Sequence, residues 1–325
     1  MSHTRRDWLK SVLGAILLPM AGRMAYAQEW PAKPIRIVAP FPAGGSADIL
    51  GRLIGAHFTE QFKQSVVIEN RAGAGGAIGS DLVSKAPPDG YTLLVSGIGS
   101  HVIAPAVSKT PYHPLNSFTH IALCGGPPAV LAVPADSPIK TLREFIAASQ
   151  ANDKGLSWGS SGTGTHAHLI GEMFRELSNA KMVHVSYKGG SQAMTDLIGK
   201  QLSATLTALT SATPHLRAGR IRAIAITSRQ RLADHPEVPT FGEAGYPQLT
   251  AITWFSLSGP PGMPAPLVAQ INAEVRRALH SAKSRERLQG EGIEPNDLDA
   301  AAFTQFVRAE LERWTPLAKA AQTTN

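Results

Sequence analysis

The chain has 325 residues, a formal net charge of +7, 43% hydrophobic residues and one cysteine. That apolar content is enough for a large core and excludes a disordered chain. The mild charge excess, with no Lys/Arg block interleaved with aromatics, excludes a nucleic-acid partner, and a single cysteine excludes an internal disulfide.

The first 27 residues read as an export signal. Arg5, Arg6 and Lys10 form a basic start, Ser11–Leu18 a short apolar core, and Ala25-Tyr26-Ala27 a small-residue cleavage site before Gln28. The apolar core is too short for a bilayer, which takes about 20 residues. Thr4-Arg5-Arg6-Asp7-Trp8-Leu9-Lys10 matches a twin-arginine signal, while an ordinary secretory signal with a chance arginine pair is the alternative. Cleavage leaves a mature chain from residue 28 with a charge of about +4 and a periplasmic address. No later stretch has membrane-spanning length.

The stretch Ile35-Arg-Ile-Val-Ala-Pro-Phe-Pro-Ala-Gly-Gly-Ser-Ala-Asp48 is a β-branched run, a glycine loop and a helix start. Apolar side chains then recur with helical spacing at Ile49, Leu50, Leu53, Ile54 and Phe58. Amides at such a helix start lack intrahelical partners and sit at the positive end of the helix dipole, where anions bind. A second start of this kind is Gly155-Leu-Ser-Trp-Gly-Ser-Ser-Gly-Thr-Gly-Thr-His-Ala-His-Leu169. A third loop, Ser96-Gly97-Ile98-Gly99-Ser100-His101, follows the strand Thr92–Ser96. Two anion-receptive helix starts far apart in sequence point to a ligand held between two lobes.

Further strand-like runs are Val66–Glu69, Ile121–Leu123, Val130–Val133, Leu156–Trp158, Met182–Val185, Leu202–Leu206, Ile221–Thr227 and Thr253–Leu257. Helical patterns at Leu142–Ala148, Leu169–Leu177 and Ala193–Ile198 lie between some of them. This alternation predicts parallel sheets with crossover helices. The tail reads as two amphipathic helices, Pro266–Ala282 and Asp299–Ala320. In the second, Phe303, Phe306, Val307, Leu311 and Trp314 form a stripe that docks onto the body. Cys124 lies in the apolar run Ile121-Ala-Leu-Cys124 and reads as a buried structural thiol. The chain is expected to cross between lobes near Pro127-Pro128 and again near Leu249-Thr250. That gives residues 28–128 plus 250–325 to one lobe and 129–249 to the other.

Catalytic signatures are missing from the sequence. Gly159-Ser160-Ser161-Gly162 has the wrong spacing for a nucleophile elbow. A phosphate loop and a His-Glu-x-x-His pair are absent. Gly73-Ala-Gly75-Gly-Ala-Ile-Gly79 departs from dinucleotide spacing and reads as a turn with close helix–sheet contact. His166 and His168 could reach one metal, but no cysteine or carboxylate group joins them. The expectation is a binding protein, with no catalytic residue, metal or cofactor. An exported hydrolase using Ser161 with His166 or His168 is the rival reading.

Several segments, taken together, resemble the tripartite tricarboxylate transporter substrate-binding proteins, or Bug receptors. They are Trp30-Pro-Ala-Lys-Pro-Ile-Arg-Ile-Val-Ala-Pro-Phe-Pro-Ala-Gly-Gly45, Val67-Ile-Glu-Asn-Arg-Ala-Gly-Ala-Gly-Gly76, Pro88-Asp-Gly-Tyr-Thr-Leu-Leu94, Ser160-Ser-Gly-Thr-Gly-Thr165 with His168, Val183-His-Val-Ser-Tyr-Lys-Gly189 and Thr253-Trp-Phe-Ser-Leu-Ser-Gly-Pro-Pro-Gly262. The resemblance covers essentially the whole mature chain. It implies an α/β, two-lobe, periplasmic-binding-protein-like (flytrap) fold with C-terminal amphipathic helices. It also implies a small organic anion (a carboxylate) as ligand and transmembrane permease subunits as partners, while a sensor or orphan receptor without a permease fits the same chain.

By the same resemblance the two loops grip one carboxylate from opposite lobes. That role falls on Phe41, Ala43, Gly44, Gly45 and Asp48, and on Ser160, Ser161, Gly162, Gly164, Thr165 and His166. Asp48 is expected to order its own loop, since a carboxylate facing the ligand would repel it. Ser96 and Gly99 of the third loop could close the same pocket, and Trp254, Tyr187 and Thr207 could contribute to it. One departure stands out. Family members usually read Gly-Gln-Val-Asp, two residues, then Phe-Asp-Asn before Pro-His. Here Ser203 and Thr207 replace both aspartates. By the resemblance, the second usual aspartate lies beside the cleft and can receive a ligand ammonium; without that anion a buried ammonium costs several kcal/mol, so an acid lacking an α-amino group is the expected ligand.

Overall fold

The computed structural model describes residues 30–323; the expected signal segment lies outside them. Two five-stranded sheets form the two lobes. The first contains β1 (Ile35–Ala39), β2 (Val66–Asn70), β3 (Thr92–Gly97), β4 (Thr119–Gly125) and β10 (Phe255–Gly259), in the order β2-β1-β3-β10-β4. The second contains β5 (Ala129–Pro134), β6 (Leu156–Ser160), β7 (Met182–Ser186), β8 (Ala204–Ala208) and β9 (Ile221–Ile226), in the order β7-β6-β8-β5-β9.

Helices cover both faces of each sheet, as parallel strands buried on both sides require. On the first sheet, α1 (Ser46–Phe62) and α8 (Ala265–His280) bury Leu50, Ile54, Phe58, Ile271 and Val275 against Ile37, Leu93 and Leu257. The opposite face packs α2 (Ala77–Ser84) against Val38 and Leu94. On the second sheet, Phe145 of α4 (Leu142–Ala151) and Phe174 of α5 (His166–Ser178) lie over Trp158 and Leu131. The other face takes α6 (Gly190–Ile198) and α7 (Leu209–Arg217) against Val130 and Ala132.

The sheets are mixed, which corrects the expectation of parallel sheets. β10 is antiparallel to β3 and β4, and β5 is antiparallel to β8 and β9. The reason is topological. Each is the first strand after a crossing between lobes, so it enters its sheet at the cleft edge and runs away from it. The intervening βαβ strands run toward that edge.

Helix boundaries also differ from the sequence reading. The helix read as Pro266–Ala282 runs over Ala265–His280, and a helix the reading did not name follows it: Ser281 caps α9 (Ala282–Gly290) by accepting from the Ser284 amide at 3.2 Å. The reading named no helix at α7, which carries Pro214 in its interior. A short α3 (Ala104–Val107) follows a π-helical turn over Gly99–Ile103.

The last helix, α10 (Ala300–Thr323), spans both lobes. Its Phe303, Val307 and Trp314 join one core with Ile98 and Leu123 of the first lobe and Trp158 and Leu169 of the second. Cys124 is buried and free, and burial pushes its thiol up to about 12. Among the described residues, no helix is long and apolar enough to cross a membrane.

Candidate functional site between two strand edges

Topology alone brings the glycine loops together. β1, β2 and β3 are mutually parallel, so their carboxyl ends and following loops share one edge. β6, β7 and β8 share an edge in the same way. Residues Gly125 to Pro128 lead from β4 directly into β5, and Gly125 pairs with Phe255 beside Gly97. Ala129 pairs with Ala208, at the carboxyl end of β8. A three-residue crossing therefore joins the two loop-bearing edges, and the return from β9 to β10 joins the same edges. The space between them is the interlobe cleft, where open α/β sheets bind ligands.

The crossing is tightly held. The Thr253 amide donates to the Pro127 carbonyl at 2.9 Å, and a Cβ on Gly126 would sit 2.1 Å from the Thr253 carbonyl oxygen. The buried Thr227 hydroxyl accepts from the Ala129 amide at 2.8 Å and donates to the Ala251 carbonyl at 2.7 Å. Helix α10 clasps the same place. Glu310 accepts from the Trp254 and Trp314 indoles at 2.8 and 3.1 Å, and Arg313 donates to the carbonyls of Gln248 and Thr250, both at 3.0 Å.

On the first lobe, α1 starts at Gly45 with no side-chain cap. Among the described residues, the amides of Ser46, Ala47 and Asp48 have no acceptor. They form the open positive end of a 17-residue helix. Asp48 turns back onto its own loop. Its carboxylate accepts from the Gly44 amide and from Arg52 Nε, each at 3.0 Å. Burial alone would raise this carboxyl, but Arg52, the Gly44 amide and Asn70 outweigh burial and hold it below its ordinary range. Ala43 and Gly44 are exposed at the loop tip. Phe41 forms an apolar floor. Its ring meets Phe255 edge-on at 6.2 Å, and Cβ atoms on Gly76 and Gly99 would lie 3.2 and 3.3 Å from it.

On the second lobe, the loop mostly satisfies itself. Thr165 caps α5 by accepting from the His168 amide at 3.3 Å and donates to the Gly162 carbonyl at 2.7 Å. The amides of Gly162, Thr163 and Gly164 go to Ser160 Oγ at 3.2 Å, Ser186 Oγ at 2.8 Å and His168 Nδ1 at 3.1 Å. Among the described residues, the Ser161, His166 and Ala167 amides remain without acceptors. Ser160 also contacts His184 Nε2 at 2.8 Å.

Two expected residues are placed differently from the rest. The Ser96 hydroxyl lies inside the sheet, 2.7 Å from Ser256 Oγ and 2.8 Å from Ser258 Oγ. The His166 ring turns into the hinge, where Nδ1 is 3.1 Å from Thr253 Oγ1 and Trp314 meets the ring edge-on at 4.6 Å. Only the His166 backbone is left at the loop. His168 points into the body, stacked on Trp158 at 6.1 Å. Burial lowers His166 to about 3 and His184 to about 4, and lowers His168 as well. All three are neutral at pH 7 and add no positive charge to the loop. Ser161, the serine a hydrolase would need, has no histidine partner among the described residues. No group of three metal-ligating side chains occurs among them either.

The sequence reading did not single out Gly189 and Gly190. They begin α6, again with no side-chain cap, on the same edge. Their signal was a glycine pair between a strand run and a helical pattern.

A two-lobe binding-protein architecture with an amide-lined interlobe cleft is that of a solute receptor. The chain belongs to the tripartite tricarboxylate transporter family receptors, whose model matches residues 50–322. It is 36% identical over 95% of its length to a protein of the tcbD–tcbE intergenic region of a Pseudomonas strain, covering 93% of that protein. It is 33% identical over 97% of its length to the BugT protein of Bordetella pertussis, covering 96% of that chain. Among solved structures, an R. palustris protein with adipate aligns with a TM-score of 0.82 at 32% identity, over 90% of this chain and 98% of that one. The MatC protein of Rhodopseudomonas palustris with bound malate aligns at 0.77 and 32%, over 89% and 99%.

Proposed function

We propose that this chain is an extracytoplasmic receptor that captures a small organic carboxylate in the interlobe cleft and delivers it to a tripartite tricarboxylate-type permease. The observation that carries this reading is the uncapped start of α1. Its three open amides lie on the edge that faces the Ser161, His166 and Ala167 amides. The ligand carboxylate accepts from both sets, with Phe41 and Gly99 beneath it and Gly44, Gly45, Ser160, Gly162, Gly164 and Thr165 shaping the loops. Water fills the remaining gaps.

Closure follows if the closed state binds the anion more tightly than the open one. The moving bodies are residues 28–128 with 250–325, and 129–249. Export through removal of residues 1–27 places the receptor in the periplasm. Adipate and malate in the related structures support a carboxylate ligand. Thr207, near the carboxyl end of β8, supplies no negative charge for an ammonium, so the ligand lacks an α-amino group.

Calorimetry with succinate, malate, adipate, citrate and benzoate against aspartate and glutamate tests the reading. Binding of one or more of the first set, with weaker binding of the amino acids, is expected. Failure of every carboxylate ends the receptor assignment, and tighter amino-acid binding ends the preference. A ligand present at about 100 times its Kd adds roughly 2.7 kcal/mol of stability, visible as a thermal shift.

A further inference from the structure

Away from the glycine loops, the two lobes touch along a strip that the carboxylate clamp does not use. The end of α9 and the turn after it, residues 288–294, are fixed to the first lobe. Leu288 and Ile293 belong to its core, the Ile293 amide donates to the Leu288 carbonyl at 2.9 Å, and a Cβ on Gly125 would collide with the Glu294 carbonyl. The second lobe rests on this turn. A Cβ on Gly292, whose φ is +65°, would lie 2.7 Å from Leu209 and 3.2 Å from Leu232, both of the second lobe, and 3.3 Å from Pro128 in the crossing. Only a glycine lets the second lobe approach this closely.

Polar groups of both lobes meet beside that contact. The Gln289 side-chain amide donates to Asp234 Oδ1 at 3.3 Å. Arg217, in the last turn of α7, lays its Nη2 3.7 Å from where a Cβ on Gly290 would sit. Glu291 stands between two arginines, one from each lobe: Arg287 at 3.5 Å within its own lobe, and Arg217 across the boundary. Its side chain is only 16% exposed. Burial pushes this carboxyl up, and both arginines pull it back toward the charged form. A cavity of about 800 Å³ lies between the lobes here, lined by Thr210, Thr213 and Arg217 on one side and Lys283, Glu286 and Glu291 on the other. Helix α7 starts at Leu209, directly after β8 and at the cleft edge. Rotation of the second lobe carries α7 with it and slides Arg217 against Glu291.

We propose that Arg217 and Asp234, set against Glu291 and Gln289, form a polar latch across the lobes that biases the equilibrium between the open and the closed cleft. This rests on the two-lobe closure reading and adds a control point outside the ligand pocket. A ligand closes the cleft only through the difference in its affinity for the two states, so apparent affinity depends on the fraction of molecules already competent to bind. A contact made in one arrangement and lost in the other moves that fraction without touching the ligand. Exposed ion pairs are individually weak, which suits a bias, since a strong pair would lock the lobes.

Spin labels attached through Ala72→Cys and Lys188→Cys on the full mature chain read the cleft directly. Both positions are exposed and follow β2 and β7, the strands furthest in their sheets from the crossing strands β4 and β5. Cys124 is buried and stays unlabelled. Without any ligand, Arg217→Glu should change the ratio of shorter to longer label separations by about 10-fold, because it faces Glu291 with a like charge. In the background Glu291→Gln the same Arg217→Glu should change it by less than about 2-fold. Calorimetry with malate and with adipate should follow the labels: the chain that favours the shorter separation binds more tightly, by about the same factor. An unchanged ratio in Arg217→Glu, or an equal change in both backgrounds, overturns the latch. If neither acid binds while the label ratio still shifts, the receptor reading falls and the latch stands. If the acids bind and the ratio is the same in every chain, the latch falls and the receptor reading stands.

Discussion

The two glycine loops look alike in sequence and are built differently. Both place small residues between a strand and a helix. At the first, Gly45 leaves the start of α1 uncapped, and one buried carboxylate, Asp48, pins the loop from behind. At the second, Thr165 caps α5, and Ser160, Ser186 and His168 take up the amides between. One loop leaves the amides of its helix start without acceptors, and the other spends most of its amides on its own side chains. The lesson is that a glycine-rich turn before a helix marks a potential anion site only when its amides are left over. What settles that is the cap residue and the long-range side chains, not the glycines.

The sharpest way to break this contrast is to give the first loop a cap of its own. The Gly45 backbone is extended, at φ −80° and ψ 170°, and a Cβ there would have ordinary room, 3.5 Å from the Pro42 carbonyl oxygen. Gly45→Asp should therefore fold and should cap α1, with stability equal to or slightly above that of the unaltered chain. Its carboxylate takes the place of the ligand's. Carboxylate binding should drop by about 100-fold or more, since both the amides and the charge balance are lost. Unchanged affinity by calorimetry would show that the start of α1 is not the anion site.

Asp48→Asn is the next largest. The asparagine keeps the size but loses the charge that holds Arg52 and the Gly44 amide, so the loop should loosen. Ligand affinity should fall by about 10-fold, while overall stability falls by only about 1–2 kcal/mol. The sign of the pH effect follows from the same group. Its folded pKa lies below the ordinary value, so its contribution is complete above the unfolded pKa of about 4 and disappears as the pH falls through the folded value. An affinity for a strong-acid ligand that stayed flat down to that range in the parent would contradict the role.

The histidines behind the second loop act over a different pH window. His168 and His184 face each other at 4.2 Å, and both are pushed below the ordinary histidine value by burial. The unfolded chain binds these protons first, so stability is full above about 6.5 and declines as the pH falls toward the folded value of about 4 for His184. Protonated His168 also loses the lone pair that accepts the Gly164 amide. Urea unfolding at pH 7 and pH 5 should show a stability loss at pH 5 that is smaller in His184→Gln. An equal loss in that variant would place the titration elsewhere.

These pairs explain which parts of the molecule were legible in sequence. Ile35–Ala39, and the helix read as Leu142–Ala148 that runs on to Ala151, could be read because short-range period and glycine punctuation decide them locally. The antiparallel direction of β5 and β10 could not, because it depends on where the chain re-enters a sheet after crossing. Ser96 and His166 illustrate the limit at the site. Their places in the loops suggested contact with ligand, yet Ser256 and Ser258 claim one side chain and Thr253 and Trp314 the other. Partners 87 to 162 residues away leave no trace in a local pattern. The reverse holds for Asp48. Its role was legible because its partners, Gly44 and Arg52, lie within one helical turn.

The smallest effect tests the second loop itself. Thr165→Ala removes the cap of α5 and the hydroxyl that ties the Gly162 carbonyl, while Thr165→Ser keeps both hydrogen bonds. The alanine variant should lose about 1–2 kcal/mol of stability, and the serine variant a fraction of that. The freed His168 amide adds one more donor to the helix start, which partly offsets the looser loop. Affinity should therefore change by less than about 3-fold in either variant. This small binding effect, set against the large one at Gly45, separates a loop that holds the ligand from one that holds its own shape. A collapse of binding in Thr165→Ala with stability unchanged would mean that the two loops share the work equally and that the asymmetry of their caps is incidental.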